Sequence, residues 1–303
     1  RILMVSDVSP LTIRGGAERV LWETASRLAG RGHRVRVLCR TAPDEAPVPV
    51  ERDGVSVSRF ACPARSSLGF LRHAVFAARR AVDRLLEAEP CDVAQLYQPL
   101  SGFGVLGAKR LRGVPTLYSF LSPAPLEYAS RAGMTAHHRL GLSGRAAQTA
   151  LWAAERSCIR RAAAIHVLSE FSAGQLWRLY GVPSDRLVRI PGGVDLAKFT
   201  PVQDRRLLRS RLGLPVDTPL LLTVRNLEAR MGLETLIRAM ALLREDLPTL
   251  RLLIGGTGSL KTDLESLTER LDLGNRIRFL GYVPDAELPS YYQAADAFVL
   301  PTR

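Results

Sequence analysis

Two segments of the chain share one design: a short apolar run leading to glycines that open a helix. Ile2–Val5 leads through a loop to Arg14-Gly15-Gly16-Ala17-Glu18-Arg19-Val20, and Leu250–Ile254 runs into Gly255-Gly256-Thr257-Gly258. Continuous apolar runs are the mark of parallel strands buried on both faces. Glycine lets backbone N–H groups approach a ligand, and a helix N-terminus attracts phosphate. Two such loops, about 240 residues apart, predict two nucleotide-type α/β domains facing one cleft.

The rest of the chain fits that frame. Strand-like runs fall near 1–6, 34–39, 54–59, 92–97, 115–119, 164–168 and 187–190, with helical periodicity at 16–30, 69–87, 144–163 and 170–180. The pattern restarts with strand 219–224, helix 232–244, strand 250–254, helix 259–272, strand 276–279, helix 286–294 and strand 296–300. Alternation of this kind predicts doubly wound parallel sheets. The Pro- and Gly-bearing stretch 191–202 separates a domain over 1–198 from one over 199–303. A length of 303 residues suits two domains. The chain starts inside a strand-like run and stops just past Leu300, so the second domain reads as incomplete. Residues 120–145, broken by Pro123, Pro125, Gly133, Gly141 and Gly144, read as a loop bordering the cleft.

Composition narrows the class. No apolar run reaches the roughly 18 residues of a membrane span, and no signal peptide opens the chain. Cys39, Cys62, Cys91 and Cys158 have no metal-ligand spacing, which fits reduced thiols in the cytoplasm. The net charge is +13, of which +1 falls in residues 201–303 and +12 in 1–200. So basic a first half attracts an anionic ligand or membrane surface; arginine-rich coding is the plainer explanation. Within it, helix 69–87 carries Leu71, Ala74, Val75, Ala78, Val82 and Leu85 on one face, with Arg72, His73, Arg79, Arg80 and Arg84 largely elsewhere. It reads either as a membrane-surface helix or as an ordinary packed one. Nucleic-acid binding lacks a motif or an aromatic stacking series.

The chemistry concentrates in a few positions. A dinucleotide fingerprint needs GxGxxG directly after the first strand and an acidic residue after the second. Here the glycines come late, and Arg40 follows the second strand. The loop Arg225–Met231 lies at the carboxyl end of a parallel strand, where such folds bind ligands. Guanidinium groups of Arg225 and Arg230 there can clamp a diphosphate and stabilise charge on a departing phosphate. Exposed arginines in an Arg-rich chain are the alternative. His33 and His166 read as structural, while His137 and His138 fall in the irregular loop. No His, Asp or Glu cluster has metal-ligand spacing, and neither GxSxG nor a Walker motif occurs.

Taken together these segments resemble the GT4-type retaining glycosyltransferases. Arg14–Val20 is similar to their first loop. Pro191-Gly192-Gly193-Val194-Asp195, with Phe199 and Pro201, is similar to their interdomain signature. Val224–Ile237 and Leu253–Pro301 are similar to successive parts of their second domain. The resemblance implies a GT-B fold of two Rossmann-like domains, acceptor-side first and donor-side second. It implies transfer of a hexose from a nucleoside-diphosphate sugar, with retention and without an essential metal or other cofactor. A lipid-linked or polysaccharide hydroxyl would be the acceptor, and the basic first half motivates a peripheral place on the inner face of the cell membrane. Carried over by position, Gly15 and Gly16 would lie near the donor phosphates or the acceptor. Arg225, Arg230 and Asn226 would face the diphosphate. Gly255, Gly256 and Gly258 would pack near the nucleotide, and Tyr282, Val283 and Asp285 would border the base.

The chain also departs from that pattern. Asn226 and Met231 stand where the family usually has Arg and Lys, and Leu121 stands where a His is common. The family's paired glutamates, eight positions apart, would follow Arg303. These departures support a rival reading, a degenerate GT-B protein that binds or scaffolds without catalysis.

Overall fold

The computed structural model describes residues 1–13, 15–41, 48–62, 67–131 and 141–302. The chain divides into two compact units, Arg1–Gly192 and Gly193–Arg303.

The first unit runs β1 (Ile2–Ser6), α1 (Gly16–Gly30), β2 (Val35–Arg40), β3 (Val50–Arg52), β4 (Val55–Phe60) and α2 (Ser67–Ala88). It continues with β5 (Val93–Leu96), α3 (Pro99–Leu106), β6 (Thr116–Phe120), α4 (Ala124–Arg131), α5 (Leu142–Arg161), β7 (Ala164–Val167), α6 (Glu170–Tyr180) and β8 (Leu187–Arg189). The eight strands order as β3-β4-β2-β1-β5-β6-β7-β8. Only β3 is antiparallel, to β4. The sheet is covered on both faces because side chains alternate along each strand. Met4 packs with Leu21, Trp22 and Ala25 of α1. Its neighbours Leu3 and Val5 join the core that holds Ala78, Val82 and Leu86 of α2. Helix α2 therefore buries its apolar face against its own sheet.

The second unit runs α7 (Arg205–Arg211), β9 (Leu220–Val224), α8 (Leu233–Leu242), β10 (Arg251–Gly255), α9 (Lys261–Arg270), β11 (Ile277–Gly281), α10 (Leu288–Ala294) and β12 (Ala297–Phe298). Its sheet is parallel throughout, in the order β11-β10-β9-β12. Leu252 and Ile254 face the core under α8 and α9, and Leu253 faces the opposite core with Leu220 and Leu222. Strand order reverses between β1 and β5 in the first sheet and between β9 and β12 in the second. In doubly wound sheets that reversal opens a crevice at the carboxyl ends, which is where ligands bind.

Four elements lie outside the sequence reading: β3, α3, α4 and α7. Helix α3 is buried at seven of its eight residues, so it carries no polar stripe for periodicity to find. The stretch 120–145, read as irregular, holds α4 and the start of α5. His137 and His138 lie outside the described residues, as does Arg14. All four cysteines are free thiols.

Candidate active site

In the second unit the loops after β9, β10 and β11 form one construction at the carboxyl edge of the sheet. The first two are zipped together by backbone. Arg225 N–H donates to Gly255 O at 3.0 Å, Leu227 N–H to Thr257 O at 2.9 Å and Leu260 N–H to Leu227 O at 3.0 Å. That contact explains the glycines. A Cβ on Gly258 would sit 2.4 Å from Leu227 O, and one on Gly256 would sit 2.0 Å from Arg225 O. Gly256 also has φ +125°, a conformation that side chains rarely adopt. A Cβ on Gly255 would press on Val283 at 2.9 Å. The expectation that these glycines offer N–H groups to a ligand is corrected at Gly256, whose N–H is donated to Gly281 O at 2.6 Å. Their missing side chains let the three loops approach one another this closely.

Upon this base sits a cationic pair. Arg225 follows β9 directly, at the strand-order reversal. Its Nη1 donates to Thr302 Oγ1 at 2.8 Å and its Nη2 meets Met231 Sδ at 2.7 Å. Its Nε is buried with no hydrogen-bond partner. Burial, and then the charge of Arg230, push the Arg225 guanidinium below its ordinary value. Arg230 is exposed on the single 3-10 turn Ala229–Met231. Gly232 closes this turn with φ +69° and begins α8. A Cβ there would lie 1.8 Å from Pro301 O, so only glycine admits the segment that brings Thr302 to Arg225. Nearby, Glu228 fastens the loop by accepting from Ser259 N at 3.2 Å and Ser259 Oγ at 2.9 Å. Asn226 is exposed, Tyr282 is 61% exposed and Val283 is buried against Gly255. Asp285 is half-buried on the loop after β11.

Sequence reasoning took Met231 only as a lost charge and missed Thr302. Met231 is buried in the core beneath α8, so the uncharged residue at this position supports Arg225 instead of adding a charge. The link to Thr302 spans 77 positions and has no sequence signal.

In the first unit Gly15 is the N-cap of α1, with extended backbone. A Cβ on Gly15 would come 3.0 Å from Glu18 Oε2, while one on Gly16 would meet nothing within 4 Å. Among the described residues, then, nothing packs against the Cα of Gly16. Leu11 and Ile13, which lead into this turn, pack in one cluster with Tyr97 and Leu121. The ends of β1, β5 and β6 are thereby joined. Asp7, just past β1, accepts from Ser101 N at 2.8 Å and Leu100 N at 3.3 Å and so caps α3. His166 is structural: its Nε2 reaches Ile190 O at 3.0 Å and its Nδ1 faces Ser119 Oγ at 3.3 Å. The carbonyl must accept, so Nε2 donates to it. His33 is exposed in a turn.

This geometry, two doubly wound units with loops built at their strand-order reversals, has counterparts among known proteins. A family model described as Glycosyltransferase Family 4 matches residues 14–198, and one described as Glycosyl transferases group 1 matches residues 204–303. The chain belongs to glycosyltransferase family 4. D-inositol 3-phosphate glycosyltransferase 1 of Catenulispora acidiphila is 32% identical, over all of this chain and 74% of that protein. The D-inositol 3-phosphate glycosyltransferase of Kineococcus radiotolerans is 30% identical, over 95% of this chain and 68% of that one. A GDP-mannose-dependent phosphatidylinositol monomannoside mannosyltransferase of Mycolicibacterium smegmatis is 32% identical over 49% of the chain and 40% of its own length. Among solved structures, sucrose-phosphate synthase of Thermosynechococcus elongatus superposes with TM-score 0.79 at 23% identity, covering all of this chain and 75% of that one. Anabaena HepE in complex with UDP-glucose superposes with TM-score 0.69 at 19% identity, covering 99% and 74%. These likenesses identify the fold of this glycosyltransferase as GT-B.

Proposed function

We propose that this glycosyltransferase moves a hexosyl group from a nucleoside-diphosphate sugar to a hydroxyl of a lipid-linked or polysaccharide acceptor. Anomeric configuration is retained, and arginines act where other enzymes use a metal. The observation that carries the reading is the pair Arg225 and Arg230 at the end of β9, with Arg225 Nε buried and unpartnered. The charge of Arg230 opposes that of Arg225, and an anion between them relieves both. As the glycosidic C–O bond breaks, negative charge grows on the diphosphate oxygens. Preorganised guanidinium groups stabilise that charge most where water is thinned out. Gly232 and Gly256 keep the loops fixed while this happens, so little reorganisation is required at the moment of transfer.

Met231 tells against the scaffold reading. The position is buried and packed against Arg225, so its missing charge is not a vacated contact. The relatives named for GDP-mannose and for inositol phosphates set the first trials. The chain is incubated with GDP-mannose, UDP-glucose or UDP-N-acetylglucosamine and with inositol 3-phosphate or phosphatidylinositol. Proton NMR then reads the anomeric configuration of the product. An α-linked product from an α-linked donor is expected. An inverted product would refute retention, and absence of both transfer and slow donor hydrolysis would favour the scaffold.

We also propose attachment to an anionic membrane face, through charge rather than insertion. Among the described residues no helix is long and apolar enough to cross a membrane. The apolar face of α2 is committed to the core, but its outer side exposes Arg72, His73, Phe76, Arg80 and Arg84. Each basic group near an anionic surface contributes on the order of 1 kcal/mol, screened by salt. Co-sedimentation with phosphatidylglycerol vesicles and none with pure phosphatidylcholine is expected. Arg72→Glu with Arg80→Glu should abolish it; equal sedimentation of that variant would refute the assignment to α2.

A further inference from the structure

We propose that Glu155 is a positioning residue for Leu121–Pro123, the loop that follows β6, and that its ionised form holds this loop for transfer. The proposal rests on the glycosyl-transfer reading above. Glu155 lies on α5 and is fully buried. Three donors from three other elements converge on its carboxyl group. Tyr118 on β6 donates from its hydroxyl at 2.9 Å, Tyr180 at the end of α6 donates a short hydrogen bond, and Ala124 donates its N–H at 3.4 Å. Tyr118 and Ala124 stand on either side of the loop, so one carboxyl group spans it. Aromatic rings wall the group in: Tyr180 packs on Trp152 at 5.0 Å and edge-on to Phe120 at 6.3 Å between centroids. Phe120 is the last residue before the loop, and Leu121 within it packs against the same core cluster as Leu11 and Ile13. Those residues lead to Gly16, where an added Cβ would meet no described atom within 4 Å. Glu155 is therefore coupled to the acceptor side of the enzyme through both edges of one turn.

The hydrogen bonds fit the carboxylate. It accepts all three, whereas a carboxylic acid brings a proton for which only the two tyrosine oxygens are at hand. Burial opposes the charge and pushes Glu155 up to about 7, the tyrosine and Ala124 hydrogen bonds pull it down, and Glu127 raises it. The titratable and charged groups that face it are Tyr118 from β6, Tyr180 from α6, Glu127 from α4 and Cys158 one turn along α5. Glu155 thus changes charge near neutrality, and with it the weakest and longest of the three bonds, to Ala124. A residue needed only to fill the core would not have to ionise, since apolar substitutes for buried charges are often neutral or stabilising.

The test follows the Ala124 amide of the full chain by heteronuclear NMR across pH, together with transfer from GDP-mannose or UDP-glucose to inositol 3-phosphate. The amide is expected to titrate with a midpoint near that of Glu155 and to be flat in Glu155→Gln. Over the same range kcat/KM for the acceptor should fall about 10-fold from pH ~8 to ~6, following the ionised fraction. Glu155→Gln should be uniformly slow, with GDP and UDP affinity unchanged because they bind the other unit. Tyr180→Phe removes one donor, keeps the packing and should move both midpoints upward. An Ala124 amide that does not titrate in the parent chain, midpoints unmoved in Tyr180→Phe, or a Glu155→Gln enzyme with the parent pH profile would overturn the proposal. A titrating amide in a chain that transfers no sugar supports the coupling and counts against the transfer reading instead.

Discussion

Replacing Arg225 and Arg230 together by alanine is expected to lower kcat/KM for the donor by about 10³-fold, and each alone by about 10²-fold. Arg225 should affect kcat more than the donor KM, because its contribution grows as charge moves onto the leaving diphosphate. It is also the better held of the two. Thr302 and Met231 fix two of its nitrogens and leave Nε without a partner. Arg230, on an exposed turn, should act mainly in binding the ground state. Thermal unfolding controls for damage: relief of like-charge repulsion should leave Tm unchanged or slightly higher. A double variant that keeps its transfer rate would remove the arginines from the mechanism, whatever its stability.

Arg209→Ala is expected to lower the stability of the second unit by about 3 kcal/mol, on the order of 10 °C in Tm. Arg209, only 4% exposed, ties three parts of that unit together. It donates to Ala294 O at 2.8 Å, to Val216 O at 3.1 Å, to Thr218 O at 2.9 Å and to Asp296 Oδ2 at 2.8 Å. Removing it leaves buried carbonyl groups unpaired, which costs more than the bonds themselves contribute. The lower end of the range for a broken buried pair applies because the Asp296 side chain is 41% exposed. Asp296 also gives a sign in pH. Burial raises its carboxyl, but Arg209, the Leu220 N–H and Arg205 outweigh this and hold it below the usual value. A depressed carboxylate stabilises above its unfolded value and loses that contribution as pH falls through the folded one. The parent should lose stability with acid over this window more steeply than Arg209→Ala. Parallel acid profiles would show that the network adds nothing.

What the sequence makes legible here is whatever depends on local pattern. Ile2–Val5 and Leu250–Ile254 are strands because apolar runs bounded by glycine suit a parallel sheet covered on both faces, and the glycine loops stand where they were expected. Arg225 stood out as a candidate because a strand end in such a sheet is a ligand position irrespective of partners. Three things were not legible, each for a physical reason. Helix α3 has no polar face. The glycines at 256 and 258 look like phosphate-binding residues, yet their first demand is the approach of the neighbouring loop's backbone. Arg209 with Asp296, Arg225 with Thr302 and Glu155 with Tyr118 are pairs far apart in the chain. Read singly, each is an ordinary charged residue on a helix or loop.

The central claim, that the arginine pair at the end of β9 grips a diphosphate, is tested most directly by calorimetric titration of the parent chain and of Arg225→Ala/Arg230→Ala. GDP and UDP are compared with the matching monophosphates in each. The claim requires binding of a diphosphate by the parent and a loss of about 10²-fold in that affinity in the double variant, as for two charge-assisted hydrogen bonds. Monophosphate binding should change much less. Equal diphosphate affinity in the two proteins, or no diphosphate binding by the parent, would contradict it.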